Sequence, residues 1–152
     1  MKYALDWLSD PEVFAVNRIA AHSDHKYYRN YYEMEEKNSS FIQNLNGIWK
    51  FAWAKNPSER IEDFYKEDFN TDSFDNIRVP GHIELQGYGK PQYVNTMYPW
   101  EGRETLFPPY ISEKDNPIGS YVRYFDLEDG LKGKDIYISF QGAETAIYVW
   151  LN

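Results

Sequence analysis

The sequence predicts an all-β fold, an antiparallel sandwich or jelly roll, and three observations carry that prediction. Short runs of alternating apolar residues recur after residue 116 at a spacing of roughly ten residues, with turn signals between them, the pattern of such folds. Aromatic residues make up 18% of the chain, with 14 Tyr, 9 Phe and 5 Trp, a set that suits a pleated core and polar-tipped rims. Residues 79–109 hold four of the nine glycines and five of the eight prolines. No helix survives that density, because proline removes a backbone donor and glycine costs about 1 kcal/mol relative to alanine in a helix interior.

Residues 1–40 lack a period of their own. Ser9, Asp10 and Pro11 punctuate the start, and a charged, tyrosine-rich stretch runs from His22 to a Lys37-Asn38-Ser39-Ser40 linker. Such a segment predicts an extended N-terminal arm, ordered by docking Trp7, Phe14 and its tyrosine pairs on another surface. Residues 41–152 are the predicted sandwich domain. Asn46-Gly47 signals a turn, and Trp49, Phe51 and Trp53 then share one face of a half-buried strand. A short helix is expected from Ser58, with Ile61, Phe64 and Tyr65 on one side. Residues 75–80 read as a strand stopped by proline, and residues 120–127, 135–140 and 145–151 as three more. The chain stops one residue beyond that last run, leaving sheet edges for which strands from a longer protein or a partner chain are expected.

Composition narrows the partners. A net charge of −8 argues against nucleic acid or an anionic membrane, which attract basic patches. The absence of cysteine removes disulfides, thiolate catalysis and Cys-ligated zinc. The N-terminus has no apolar run of signal-peptide length, and nowhere do about 18 apolar residues follow one another. A cytoplasmic protein is the expectation.

Residues 79–109 are the candidate site, since long irregular loops in compact domains usually carry function. They set Tyr88, Tyr93, Tyr98, Trp100 and Phe107 among polar side chains, as a polar ligand with flat apolar faces requires. Tyr98 and Trp100 either stack on such a face or pack beneath the loop. Glu84, Glu101 and Glu104 either pair as acid and base or are solvated loop carboxylates. His82 either donates to a ligand or is a hydrogen-bonded structural histidine, and His22 and His25 are too isolated to form a transition-metal site.

Eight blocks in order then carry a resemblance. They are Asp6-Trp7, residues 17–22 (NRIAAH), residues 45–53 (LNGIWKFAW), Val79-Pro80, Gly87-Tyr88, residues 93–99 (YVNTMYP), residues 116–121 (NPIGSY), and Phe140-Gln141-Gly142 through Trp150-Leu151-Asn152. With them the chain resembles the N-terminal part of the large, Lac-type bacterial β-galactosidases of glycoside hydrolase family 2. The resemblance implies a galactose-binding-like jelly roll, incomplete at its C-terminus, that precedes a catalytic (β/α)₈ barrel. It also implies an arm that contributes to a homo-oligomer, and a galactoside such as lactose as substrate.

By their places in the Tyr-x-Asn-x-x-Tyr-Pro motif, Asn95 and Thr96 would contact the galactosyl group, together with Tyr98 and, next to the motif, Trp100. An amide suits the task, offering an acceptor and two donors to neighbouring hydroxyls. A retaining glycosidase needs two carboxyl groups about 5 Å apart. In the family both are glutamates of the barrel, which lies outside this chain, as do the main ligands of its magnesium. Asp6 and Asp10, with the Val13 carbonyl, are candidate ligands for a structural magnesium, a cation that takes oxygen donors. The alternative expectation is a free-standing carbohydrate-binding or interaction module without catalytic activity.

Overall fold

Strand β1, Gly47–Ala54, is the middle of a three-stranded sheet. It starts where the sequence places a turn, and Gly47 there has φ +132°, an angle that side chains rarely adopt. Strand β2, Asp75–Val79, pairs antiparallel along one edge of β1, from Gly47 opposite Val79 to Phe51 opposite Asp75. Strand β3, Ile118–Val122, pairs antiparallel along the other, from Lys50 opposite Val122 to Ala54 opposite Ile118. The order is β2-β1-β3. The computed structural model describes residues 5–93, 95, 97–144 and 146–152.

The register decides which side chains meet. Residues directly opposite one another in antiparallel strands point to the same face, so Trp49, Phe51 and Trp53 share theirs with Ile77, Asp75, Tyr121 and Gly119. Phe51 and Ile77 are the fully enclosed apolar side chains of this face. The Tyr121 and Tyr88 rings each lie 4.7 Å from the Phe51 ring, tilted and edge-on. Gly119 is required by that packing: a Cβ built on it would stand 2.7 Å from Phe51 Cε2. The expected shared face of β1 is therefore present, but its burial alternates only in part: Trp49 and Lys50 are both half-buried, Trp53 is 37% exposed, and Ala54 on the opposite face is buried.

Three expected elements differ. The helix expected from Ser58 is a single 3-10 turn, Pro57–Glu59, capped by the Asn56 side chain. Arg60 is already extended and Asp63 has φ +58°. Aromatic packing overrides helix propensity, since Phe64 and Tyr65 turn to meet Trp150 at 5.6 Å edge-on and 4.7 Å stacked. The runs at 135–140 and in the described residues 146–151 carry no ladder, because a strand needs a neighbour and alternation alone supplies only one face of it. In the second run the period of two persists: Tyr148 and Trp150 stack on each other at 6.2 Å, and Tyr148 stacks on Trp7 at 6.3 Å.

The N-terminal segment is less extended than expected. Leu5–Ser9 forms a 3-10 turn and Tyr31–Glu35 a one-turn helix, α1. Asn30 caps α1 by accepting from Glu33 N–H at 2.9 Å, while Glu33 Oε2 accepts from the backbone N–H of Arg29 (3.0 Å) and Ser40 (3.1 Å). The Asn30-x-x-Glu33 spacing is a capping-box signature.

Two compact units result. The first comprises the described residues of Met1–Val16, Asn46–Arg123 and Tyr148–Asn152, and holds the sheet. The second comprises Asn17–Leu45 and the described residues of Tyr124–Ile147. It is tied by Gln43, whose amide donates to the Asp126 carbonyl at 2.8 Å and accepts from Glu128 N–H at 3.0 Å. No helix among the described residues is long and apolar enough to cross a membrane.

Candidate functional site

The loop between β2 and β3 is folded by its own polar groups. At its start, Gln86 lies in the 3-10 turn Glu84–Gln86, which ends at Gly87 with φ +98°. Its amide accepts from Arg78 N–H at 2.8 Å and donates to the Arg78 carbonyl at 3.1 Å, so a side chain occupies the edge of β2 as a neighbouring strand would. Gly81 leaves room for it, since a Cβ there would approach Gln86 Nε2 to 2.7 Å. Tyr88 then lays its ring on Phe51 and donates its hydroxyl to Asp75 Oδ2 at 2.9 Å. Burial, and next the negative Asp75 carboxylate that accepts its hydrogen bond, push the Tyr88 phenol up from its ordinary range. It therefore stays a donor at neutral pH.

Beyond Tyr88 a second set of bonds forms a stem. Trp100 Nε1 donates to the Asp115 carbonyl at 2.6 Å, and Arg103 Nη1 to Asp115 Oδ2 at 3.0 Å. Arg103 Nη2 donates to Gln92 Oε1 at 3.1 Å and also to the Pro99 carbonyl. Ser112, fully enclosed, donates to Glu104 Oε1 at 2.6 Å and accepts from the N–H of Lys114 (3.1 Å) and Asp115 (2.8 Å). Glu101 Oε2 accepts from Tyr98 N–H at 3.2 Å. Glu101 and Glu104 thus hold turns, in keeping with their reading as loop carboxylates.

The described motif residues face solvent. Tyr93 is 89% and Tyr98 82% exposed, and Asn95 is exposed between them. Trp100 is half-buried and bonded inside the stem, so of the two arrangements open to it, it takes the one beneath the tip. Thr96 lies outside the described residues. The stem residues Gln92, Arg103, Ser112 and Asp115 carried no signal in the sequence, because the bonds that join them to residues 99–104 link positions 4 to 15 apart, and only the closed loop brings those groups together.

At the N-terminal turn, Asp10 Oδ1 accepts from Glu12 N–H at 2.9 Å and its carbonyl accepts from Val13 N–H at 3.1 Å. Among the described residues no group of three acidic, histidine or cysteine side chains converges. The Asp6 and Asp10 carboxylates and the Val13 carbonyl are oxygen donors, the chemical type that magnesium takes.

The chain is similar along its whole length to several β-galactosidases. The β-galactosidase of Clostridium acetobutylicum is 55% identical over 152 residues, covering 99% of this chain and 17% of the relative. That of Halalkalibacterium halodurans is 56% identical over 149 residues, covering 97% and 15%. The β-galactosidase large subunit of Leuconostoc lactis is 52% identical over 164 aligned positions, covering all of this chain and 26% of the relative. The chain thus spans about a quarter or less of the length of these relatives. Residues 42–152 match the family model described as "Glycosyl hydrolases family 2, sugar binding domain", a span that holds all three strands and the whole stem and tip of the loop, and by that match the chain belongs to glycosyl hydrolase family 2.

Proposed function

We propose that this chain is the N-terminal, sugar-binding portion of a β-galactosidase that hydrolyses terminal β-D-galactosides such as lactose with retention, its two catalytic glutamates lying outside residues 1–152. The relatives bearing that name, matched along the whole chain, support the reading. The observation that carries it to a site is the stem, which raises an exposed Asn95 between two exposed tyrosines on hydrogen-bonded supports. A short amide held this way can accept from one sugar hydroxyl and donate to the next. Tyr98 offers an apolar ring face for stacking, and Thr96 a hydroxyl. The sandwich would be a jelly roll completed by residues beyond this chain, and the first 40 residues an assembly arm of a cytoplasmic homo-oligomer. A magnesium ion at Asp6, Asp10 and Val13 would neutralise the N-terminal turn, a structural task, since the chemistry belongs to the glutamates.

A second reading is favoured by the relatives named large subunits in Leuconostoc lactis and Lactobacillus acidophilus. In it the chain opens a large subunit whose enzyme needs a further chain.

Both readings meet the same test. Residues 1–152 are put in place of the corresponding segment of the Clostridium acetobutylicum relative, and galactoside hydrolysis by the resulting chimera is measured. The exchanged enzyme is expected to hydrolyse galactosides, and Asn95→Ala to lower kcat/KM about tenfold or more, the loss of a buried sugar hydrogen bond. Unchanged kinetics in the variant would remove Asn95 from the site. An inactive exchange beside an active parent would overturn the assignment.

A further inference from the structure

We propose that Arg103 is a positioning residue for the sugar contact, acting through the loop and not by touching substrate. The inference rests on the reading of Asn95 above. Arg103 reaches both ends of the tip that carries Asn95. Through Nη2 it donates to Gln92, just before the tip, and to the carbonyl of Pro99, just after it. Through Nη1 it is bonded to Asp115, the residue that also accepts from Trp100 and whose N–H is held by the enclosed Ser112. The guanidinium thus ties Gln92 to Pro99, on either side of the tip, and fastens both to the segment leading into β3.

Arginine suits this task and lysine does not. Its planar fork presents several donors at fixed angles, so three acceptors are held at the cost of ordering one side chain, whereas an ammonium on a flexible stem acts as a single point. The Arg103–Asp115 pair is half-exposed, where a lone ion pair contributes little. What the residue supplies is therefore geometry: it narrows the positions open to Asn95, and a misplaced contact far from the chemistry lowers the rate by positioning alone.

Two measurements test this. In the full chain, amide exchange of the described tip residues is expected to rise about tenfold in Arg103→Ala while the amides of β1 stay unchanged, the signature of a local opening. Arg103→Lys is expected to fall nearer to alanine than to arginine. Gln92→Ala, which removes one acceptor only, is expected to give a smaller rise at the same residues, and serves if Arg103→Ala does not fold. Tip exchange unchanged in all three variants would overturn the proposal.

The second measurement uses the exchanged enzyme. Arg103→Ala is expected to lower kcat/KM about tenfold, and Arg103→Ala combined with Asn95→Ala to be no worse than Asn95→Ala alone, because one acts through the other. Full additivity, or unchanged kinetics in Arg103→Ala, would overturn the proposal. If Asn95→Ala itself changes nothing, the reading of Asn95 fails with the sugar-positioning role, while tip exchange still reports whether Arg103 holds the loop.

Discussion

At the scale of single residues, the sheet depends on one absent side chain as much as on the large ones present. Phe51 is fully enclosed because Tyr121 and Tyr88 close on its ring, and because Gly119, diagonally across the β1–β3 pair, leaves its edge room. A methyl at Gly119 would meet both Phe51 and Tyr121 inside 3.0 Å. Overpacking of that kind costs about 1–3 kcal/mol. Gly119→Ala is therefore expected to lower the unfolding free energy measured by urea titration by that amount, and the midpoint with it, whereas Gly142→Ala, where an added Cβ meets nothing within 4 Å, leaves the midpoint unchanged. Equal midpoints for the two variants would show that Phe51 can shift at no cost. The motif residues belong to the same scale: Asn95 was legible as a site candidate from its neighbours in sequence, while Arg103, eight positions on, acquires its role only when the loop closes.

At the scale of elements, α1 shows how a helix of five residues is held. It buries no side chain, and so short a helix has no stability of its own. Its order comes from Asn30 at the cap and from Glu33, whose carboxylate collects the backbone N–H of Arg29 and Ser40. Those backbone donors, Arg29 first and Ser40 next, pull the Glu33 carboxyl below the ordinary glutamate value. A folded value depressed below the unfolded one means that the stabilisation is complete above the unfolded value and is lost as pH falls through the folded one. The amide signals of Arg29 and Ser40 are accordingly expected to titrate together, with a midpoint below the usual value of about 4.3. The Glu33→Gln variant should show neither transition, and a midpoint at or above the ordinary value would contradict the arrangement. The signature Asn30-x-x-Glu33 stands in the sequence, but without an apolar period behind it nothing marked the start of a helix.

At the scale of the whole molecule, the apolar core lies largely in one unit. Phe51, Ala54, Phe74 and Ile77 are buried in the first. In the second Leu131 is buried, while Ile136, Tyr137, Ile138, Phe140 and Ile147 are exposed by two-fifths or more. Local stability follows buried contacts and enclosed hydrogen bonds. Amides of β1 are thus expected to exchange at least a hundredfold more slowly than those of residues 135–140, a ratio of the order that a difference of about 3 kcal/mol produces. Uniform protection across both units would contradict it. In the complete β-galactosidase proposed above, the same residues should become protected, since a strand pattern with two exposed faces gains order only from a neighbour.

Sequence by itself determined the all-β class, the position of β1 and β2 to within about two residues, the face that Trp49, Phe51 and Trp53 share, and the irregular loop that carries the Tyr-x-Asn-x-x-Tyr-Pro motif. These are local properties, written in a period of two and in the conformational limits of glycine and proline. Only the tertiary structure decided that residues 58–67 abandon a helix to meet Trp150, that residues 135–140 form no ladder among the described residues, and that Gln92, Pro99, Arg103 and Asp115 converge beneath the tip. Those outcomes depend on which distant groups become neighbours, and a hydrogen bond or a ring contact has no trace in the sequence until both of its partners are in place.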